Sequence, residues 1–312
     1  MTILVLSRFT SLLRDRLLNG SPDARDVRWI FADSLRALPE DLTDVDVAVA
    51  FSLPPSLYAR LPRLAWVACP GAGVDGVLSP ALPAHVIVTR MVGPYGRSIA
   101  EYVLAAICAD AQQHAHAAAL QSAHRWESYT PRDVAGRTAA ILGAGAIGGD
   151  VARLLGAVGM RVIGLRRSGG SDPAYAAMHD LAHLDDFLRA ADTLVILTPL
   201  TAETRGLVGA RELALLPSDA LLINVARGPI VDEAALVDAL ASGRLRAAAL
   251  DVFVTEPLPE EHALWDAPGV RLTPHVAGLS HVGDVAEYFL ANLARYRAGE
   301  PLAHVVDRTR GY

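Results

Sequence analysis

At 312 residues the chain is long enough for two domains. A formal net charge of −6 argues against a general nucleic-acid binder, whose affinity rests on basic neutralisation of phosphates. Hydrophobic residues make up 52 % and charged residues 20 %, which is globular and rather apolar, yet no uninterrupted apolar run reaches the ~20 residues of a membrane span. The two cysteines, Cys69 and Cys108, lie far apart in apolar settings, so the expected compartment is the reducing cytoplasm.

The stretch Met1–Ser7 lacks a basic region and a small-residue cleavage site and reads as a first strand. Further short β-branched or apolar runs follow at Val27–Ile30, Val45–Phe51, Leu64–Ala68 and Val86–Val88, with helical patterns at Leu12–Leu18 and Pro55–Arg60. Tyr95 and Arg97 precede a long helical stretch from Ile99 to Leu120, expected as one interdomain helix. Trp126–Pro131 then forms a loop. The same rhythm continues through strands at Ala139–Leu142, Arg161–Leu165, Thr193–Leu197, Ala220–Asn224, Leu245–Val252 and Val270–Leu272, and ends in a helix from Asp284 to Arg297. Alternating β and α with short loops predicts parallel sheets covered on both faces. The fold class expected is α/β, with two Rossmann-like doubly wound domains and a cleft between them.

Gly143-Ala144-Gly145-Ala146-Ile147-Gly148 sits between the strand ending at Leu142 and a helical pattern from Asp150 to Val158. Strand, glycine turn and helix form the context in which GxGxxG signals dinucleotide binding. The first glycine permits the tight turn, the second lets backbone approach a pyrophosphate, and the third lets helix pack on strand. Free N–H groups at the helix start add a dipole contribution of roughly 0.3–1 kcal/mol. The acid expected about 20 residues on, to bind the ribose 2′-hydroxyl, is missing. Arg166 and Arg167 stand in its place, followed by Ser168. A charge-assisted bond from such a group to a 2′-phosphate is worth about 1.5–3 kcal/mol, so NADP(H) is the preferred cofactor expected, with NAD(H) as the weaker alternative.

Ligands bind beyond the carboxyl ends of strands in an open α/β sheet. Three polar residues stand at such ends: Arg227, Glu256 and His275. Arginine offers a planar fork for a carboxylate, and histidine transfers protons near neutral pH. A carboxylate on the far ring nitrogen would fix the tautomer and favour imidazolium. Beside a nicotinamide, this trio suits hydride transfer at C2 of a small 2-oxo or 2-hydroxy acid, with His275 as proton donor or acceptor and Arg227 stabilising the developing charge. No metal site is expected. His114 and His116 do not share a helix face, and Asp180 and Asp185 make the surroundings of His179 and His183 a solvated surface.

NVARG at 224–228, LDVF…EPLP at 250–259 and TPHVAG at 273–278 resemble the D-isomer-specific 2-hydroxyacid dehydrogenase family. GAGAIGGDVARLLGAVGM and LTPLTAETRGLVG resemble its coenzyme segments. IAEYVLA and the tail FLANLARYRAGEPLAHVVDRTRGY resemble its glyoxylate/hydroxypyruvate reductase branch. The resemblance implies Arg227, Glu256 and His275 as substrate arginine, histidine-orienting acid and proton donor. It implies Ala72 and Gly73 as backbone donors to the substrate carboxylate, and Ala146 and Ile147 beneath the pyrophosphate. Thr198 and Pro199 fall on the adenosine side, Val225 and Ala226 with Arg227 beside the nicotinamide, and Asp251 at the carboxamide. It also implies a discontinuous substrate domain, residues 1–97 with 281–312, around a nucleotide domain of 98–280. A homodimer acting on a small 2-oxo acid is implied, with Trp126 and Tyr129 either in a dimer-crossing arm or covering their own domain. Two alternatives remain: a phosphite- or formate-type dehydrogenase, and a nucleotide-sensing, corepressor-like protein.

Overall fold

The computed structural model describes residues 1–312 and divides into two compact units, Met1–Pro94 with Ser280–Tyr312, and Tyr95–Leu279. The first holds β1 (Thr2–Leu6), α1 (Thr10–Asn19), β2 (Arg28–Ala32), β3 (Val45–Ala50), α2 (Pro55–Tyr58), β4 (Trp66–Cys69) and β5 (Ile87–Arg90). All strand pairs are parallel, in the order β2-β1-β3-β4-β5. That order is doubly wound, with its switch point between β1 and β3. Ile3, Leu4 and Val5 are fully buried, as a strand covered on both faces requires.

The C-terminal helix Val282–Ala298 returns to this unit. Its Phe289 stacks on Trp66 with ring centroids 5.3 Å apart, and the Trp66 indole N–H donates to Thr89 Oγ1 at 2.9 Å. The final segment closes the free edge of β5. Val305 bridges Thr89 in antiparallel fashion, and the Val306 N–H donates to the Val88 carbonyl at 2.8 Å. Arg308 adds bonds to the carbonyls of Leu82 and Pro83 at 2.8 and 2.7 Å. An edge paired in this way is no template for another chain.

The second unit runs α3 (Tyr95–Ala111), α4 (His114–Ser122), β6 (Thr138–Leu142), α5 (Ala146–Ala157), β7 (Arg161–Leu165), β8 (Ala177–His179), α6 (Leu184–Arg189), β9 (Thr193–Ile196), α7 (Ala210–Leu215), β10 (Leu221–Asn224), α8 (Glu233–Ala241), β11 (Ala247–Leu250) and β12 (Val270–Leu272). The C-terminal helix is α9. The seven strands are parallel in the order β12-β11-β10-β9-β6-β7-β8. Counted from β6, this is the Rossmann order with one added strand, and its switch point lies between β6 and β9.

Three expectations need correction. The helix expected from Ile99 to Leu120 is two helices, broken at Gln113 with φ of 53°. The following loop ends the first of them: the Arg132 N–H donates to the Ala111 carbonyl at 2.9 Å, and the Gln113 side chain donates to the Thr130 carbonyl at 2.7 Å. The strand expected over Leu245–Val252 is only Ala247–Leu250, because the Leu245 N–H closes the end of α8 on the Ala239 carbonyl at 3.0 Å. An unexpected seventh strand, β8, is three residues long and only half-buried, too short for a period to register.

Candidate active site

Each glycine of the loop between β6 and α5 answers a different demand. Gly143 has φ of +112°, and a Cβ there would overlap the Thr198 backbone at the end of β9, so both conformation and space require glycine. At Gly148 a Cβ would lie 2.6 Å from the Gly143 carbonyl oxygen and 2.9 Å from the Tyr175 hydroxyl, so helix and strand meet at backbone distance. At Gly145 a Cβ would meet nothing. Neither fold nor packing demands glycine there, and the open space fits close approach of a phosphate group. No side chain caps α5, so the N–H groups of Ala146 and Ile147 face outward from the helix start.

Arg166 follows β7 at the same sheet edge. Its Nε donates to the Gly169 carbonyl, and the Gly169 N–H returns a bond to the Arg166 carbonyl at 3.0 Å. This small ring fixes the turn that carries Ser168. Arg167 is exposed, and its Nη2 lies 3.7 Å from Glu203 Oε2 in the loop after β9. The Thr201 hydroxyl donates to that carboxylate at 2.7 Å and holds Glu203 below the usual carboxylate range, with a smaller contribution from Arg167. Arg166 has no such carboxylate competitor. Thr198 and Pro199 lie in the same loop, with Thr198 half-buried and Pro199 exposed.

The loops after β10, β11 and β12 are laced together. Asn224, 1 % exposed at the end of β10, donates through its side chain to the Arg227 carbonyl at 3.1 Å and accepts from the Ala226 N–H at 3.1 Å. Val225 and Ala226 are buried beside it. The Arg227 guanidinium is turned back onto the Ala226 carbonyl at 2.7 Å. Gly228 lies so close to the Phe253–Val254 backbone that any Cβ would overlap it. The Phe253 N–H donates to Glu256 Oε1 at 3.0 Å, and Glu256 Oε2 accepts from His275 Nδ1 at 2.8 Å. Arg227, Glu256 and His275 are thereby joined through one short chain of contacts, with the histidine ring 46 % exposed.

Asp251 has a role that the motif alone did not reveal. It is 1 % exposed. Its Oδ1 accepts from the Thr273 hydroxyl at 2.6 Å and the Val276 N–H at 2.9 Å, and its Oδ2 accepts from the Ala277 N–H at 2.8 Å. Its own carbonyl accepts from the His275 N–H at 2.9 Å. His275 has φ of 54°, a left-handed conformation that costs of order 1 kcal/mol and persists only where surroundings over-determine it. Asp251 provides that determination. Because Thr273 spends its proton on Asp251, the Tyr102 hydroxyl 2.6 Å away is the donor to Thr273. Burial pushes the Tyr102 phenol above its ordinary range. The general signal available was a single acid directly after an apolar strand, where a charge is costly unless it is fully bonded.

In the first unit, Ala72 and Gly73 lie in the loop after β4. Their carbonyls accept from Arg90 Nη1 and Cys69 Sγ, both at 3.4 Å. Their N–H groups donate to no protein acceptor.

A doubly wound dinucleotide-type unit with a histidine–carboxylate pair and an arginine on adjoining strand ends defines a hydride-transferring oxidoreductase. Residues 104–277 match the model of the D-isomer specific 2-hydroxyacid dehydrogenase NAD binding domain, and the chain belongs to that family. Over 249 residues it is 36 % identical to glyoxylate/hydroxypyruvate reductase A of Klebsiella pneumoniae (strain 342), covering 78 % of this chain and 80 % of the relative. The namesake reductase of Salmonella newport (strain SL254) is 33 % identical over 93 % of each chain. An NADPH-dependent glyoxylate/hydroxypyruvate reductase from Sinorhizobium meliloti, solved with NADP and sulfate, superposes with a TM-score of 0.90 at 36 % identity, covering 100 % of this chain and 99 % of its own.

Proposed function

We propose that the protein is an NADP(H)-preferring reductase that converts the 2-oxo group of a small acid of the glyoxylate/hydroxypyruvate class into a D-2-hydroxy acid. The second unit is the nucleotide unit and the first contributes to substrate binding. The open space at Gly145, the uncapped start of α5 and the Arg166–Gly169 turn fit a dinucleotide with a 2′-phosphate. Gly143–Gly148 would hold the pyrophosphate, Arg166, Arg167 and Ser168 the 2′-phosphate, Thr198 and Pro199 the adenosine side, and Val225, Ala226 and Asp251 the nicotinamide end. When bound, the reduced nicotinamide supplies the hydride.

His275 does the proton work. Glu256 takes its Nδ1–H, so Nε2 is the nitrogen turned to the substrate. As C2 is reduced, Nε2–H delivers its proton to the carbonyl oxygen, and the adjacent carboxylate stabilises the charge changes on the ring. Arg227 would hold the substrate's carboxylate and carbonyl oxygens through its guanidinium fork and so stabilise the developing alkoxide. The N–H groups of Ala72 and Gly73 would take the carboxylate. We place the protein in the cytoplasm, in keeping with two cysteines that form no disulfide.

The observation that carries this reading is the 2.8 Å Glu256–His275 pair on adjoining strand ends. It favours a reductase over a binding protein, which needs no oriented proton donor, and a carboxylate rather than an amide on the histidine disfavours the formate-type reading. The test is NADPH consumption with glyoxylate and hydroxypyruvate. His275→Ala should lose about 10²- to 10⁴-fold in kcat while binding NADPH as the wild type does. Normal turnover in that variant would end the assignment.

A further inference from the structure

Arg90 ends β5 at the same carboxyl edge of the first unit that carries the Ala72–Gly73 loop. Its backbone is pinned: its N–H donates to the His304 carbonyl at 3.1 Å, and the next N–H, of Met91, is shared between the carbonyls of Cys69 and Gly71 at 3.1 and 3.2 Å. The side chain is half-buried, yet its guanidinium makes one contact, Nη1 to the Ala72 carbonyl at the 3.4 Å limit of a hydrogen bond. It has no carboxylate partner, whereas Arg63, Arg137 and Arg246 each hold one at 2.7, 3.1 and 2.6 Å. A half-buried cation with most of its five donors idle calls for an oxygen acceptor from outside the protein.

The Ala72–Gly73 loop supplies a second, separate set of donors. With its carbonyls occupied by Arg90 and Cys69, the N–H groups of Ala72 and Gly73 remain idle. Peptide N–H groups in succession suit a carboxylate, and a guanidinium fork suits a further oxygen. A three-carbon acid anchored by its carboxylate on the loop would bring its other end within reach of a side chain that already touches that loop.

We propose that Arg90 is a specificity-determining residue that donates to an oxygen on C3 of the substrate. The enzyme would then favour 2-oxo acids bearing a C3 hydroxyl over those ending in hydrogen or methyl. This rests on the reading of the Ala72–Gly73 loop as the carboxylate site of a 2-oxoacid reductase.

The experiment compares kcat/KM with NADPH for hydroxypyruvate, glyoxylate and pyruvate in the wild type, Arg90→Met and Arg90→Lys. The wild type should prefer hydroxypyruvate to pyruvate. Arg90→Met should lose about 10- to 100-fold on hydroxypyruvate, mostly in KM, with glyoxylate and pyruvate within about threefold. Arg90→Lys, which keeps one donor and the charge, should recover part of the loss. An equal fall on all three acids would make Arg90 a carboxylate anchor or a structural residue and overturn the proposal, as would no change. If the methionine variant fails to fold, the ratio of hydroxypyruvate to glyoxylate in Arg90→Lys decides alone: a ratio equal to the wild type's overturns it. A wild type inactive on every 2-oxo acid would sink the functional reading itself, whereas an active wild type with an indifferent Arg90 would sink only this inference.

Discussion

Glu256 accepts two donors at once, the Phe253 N–H on one oxygen and His275 Nδ1–H on the other. A carboxylate can do this because both its atoms are acceptors; an amide has only one. In Glu256→Gln, one of the two donors must face an NH2 group. Either the loop after β11 loosens or the imidazole loses its orientation and its carboxylate partner. We expect kcat with glyoxylate and NADPH to fall about 10- to 100-fold, with nucleotide affinity unchanged, as read by steady-state kinetics and protein-fluorescence titration. A variant with wild-type kcat would mean that the pair is structural. The Glu256–His275 contact was legible in the sequence because both residues fall in the loops that follow consecutive apolar strands, at the sheet's carboxyl edge. The network behind it was less so. Thr273 and Tyr102 act through side-chain hydrogen bonds to partners 22 and 171 positions away, and no periodicity encodes those.

Among the elements, the β7 turn is the one we propose to discriminate between nucleotides. The ring of bonds between Arg166 and Gly169 holds one guanidinium in place, with its terminal nitrogens free of any carboxylate. Arg167 faces Glu203, which would compete with a phosphate for it. The two arginines, which read as equivalent in the sequence, are therefore unequal. Arg166→Ala should lower kcat/KM for NADPH about tenfold or more, the worth of a charge-assisted bond, and leave NADH nearly unaffected. Arg167→Ala should cost less than Arg166→Ala. The measurement is the ratio of NADPH to NADH efficiency in each variant; a larger effect at Arg167 would reverse the assignment. The β7 strand before this turn was readable as a short run between Gly159 and the two arginines. Its neighbour β8 was not, because three half-buried residues gain their pairing from β7 rather than from a pattern of their own. The break at Gln113 was hidden for the opposite reason: alanine-rich sequence favours helix on both sides, and it is the loop around Thr130 that imposes the stop.

At the scale of the whole molecule, one exposed segment bears on how many chains make the enzyme. Each unit closes its own sheet: the first buries a contiguous apolar core around β1, β3 and β4, and the second one around β6, β9 and β10. The C-terminal segment also seals the β5 edge, so association is not required to complete either core or to cover that edge. The segment from Ala123 to Val134 is different. It has no regular structure, its Trp126 is fully exposed, and Tyr129, which packs edge-on against His116, stays 36 % exposed. Tryptophan left in water gives up an unusually large burial gain, and aromatic residues of this kind are enriched where protein surfaces meet. We propose that a second copy of this chain covers the segment, as the family resemblance implies. Light scattering on the eluting protein should then give twice the 33.0 kDa chain mass. Trp126→Ala should raise the dimer dissociation constant by about 30-fold or more, as loss of a buried anchor worth about 2 kcal/mol does. Tm should fall, and its rise with protein concentration should flatten, because association stabilises the fold only to the extent that the dimer is populated. A wild type eluting at the mass of one chain would leave Trp126 in solvent and remove the reason for pairing.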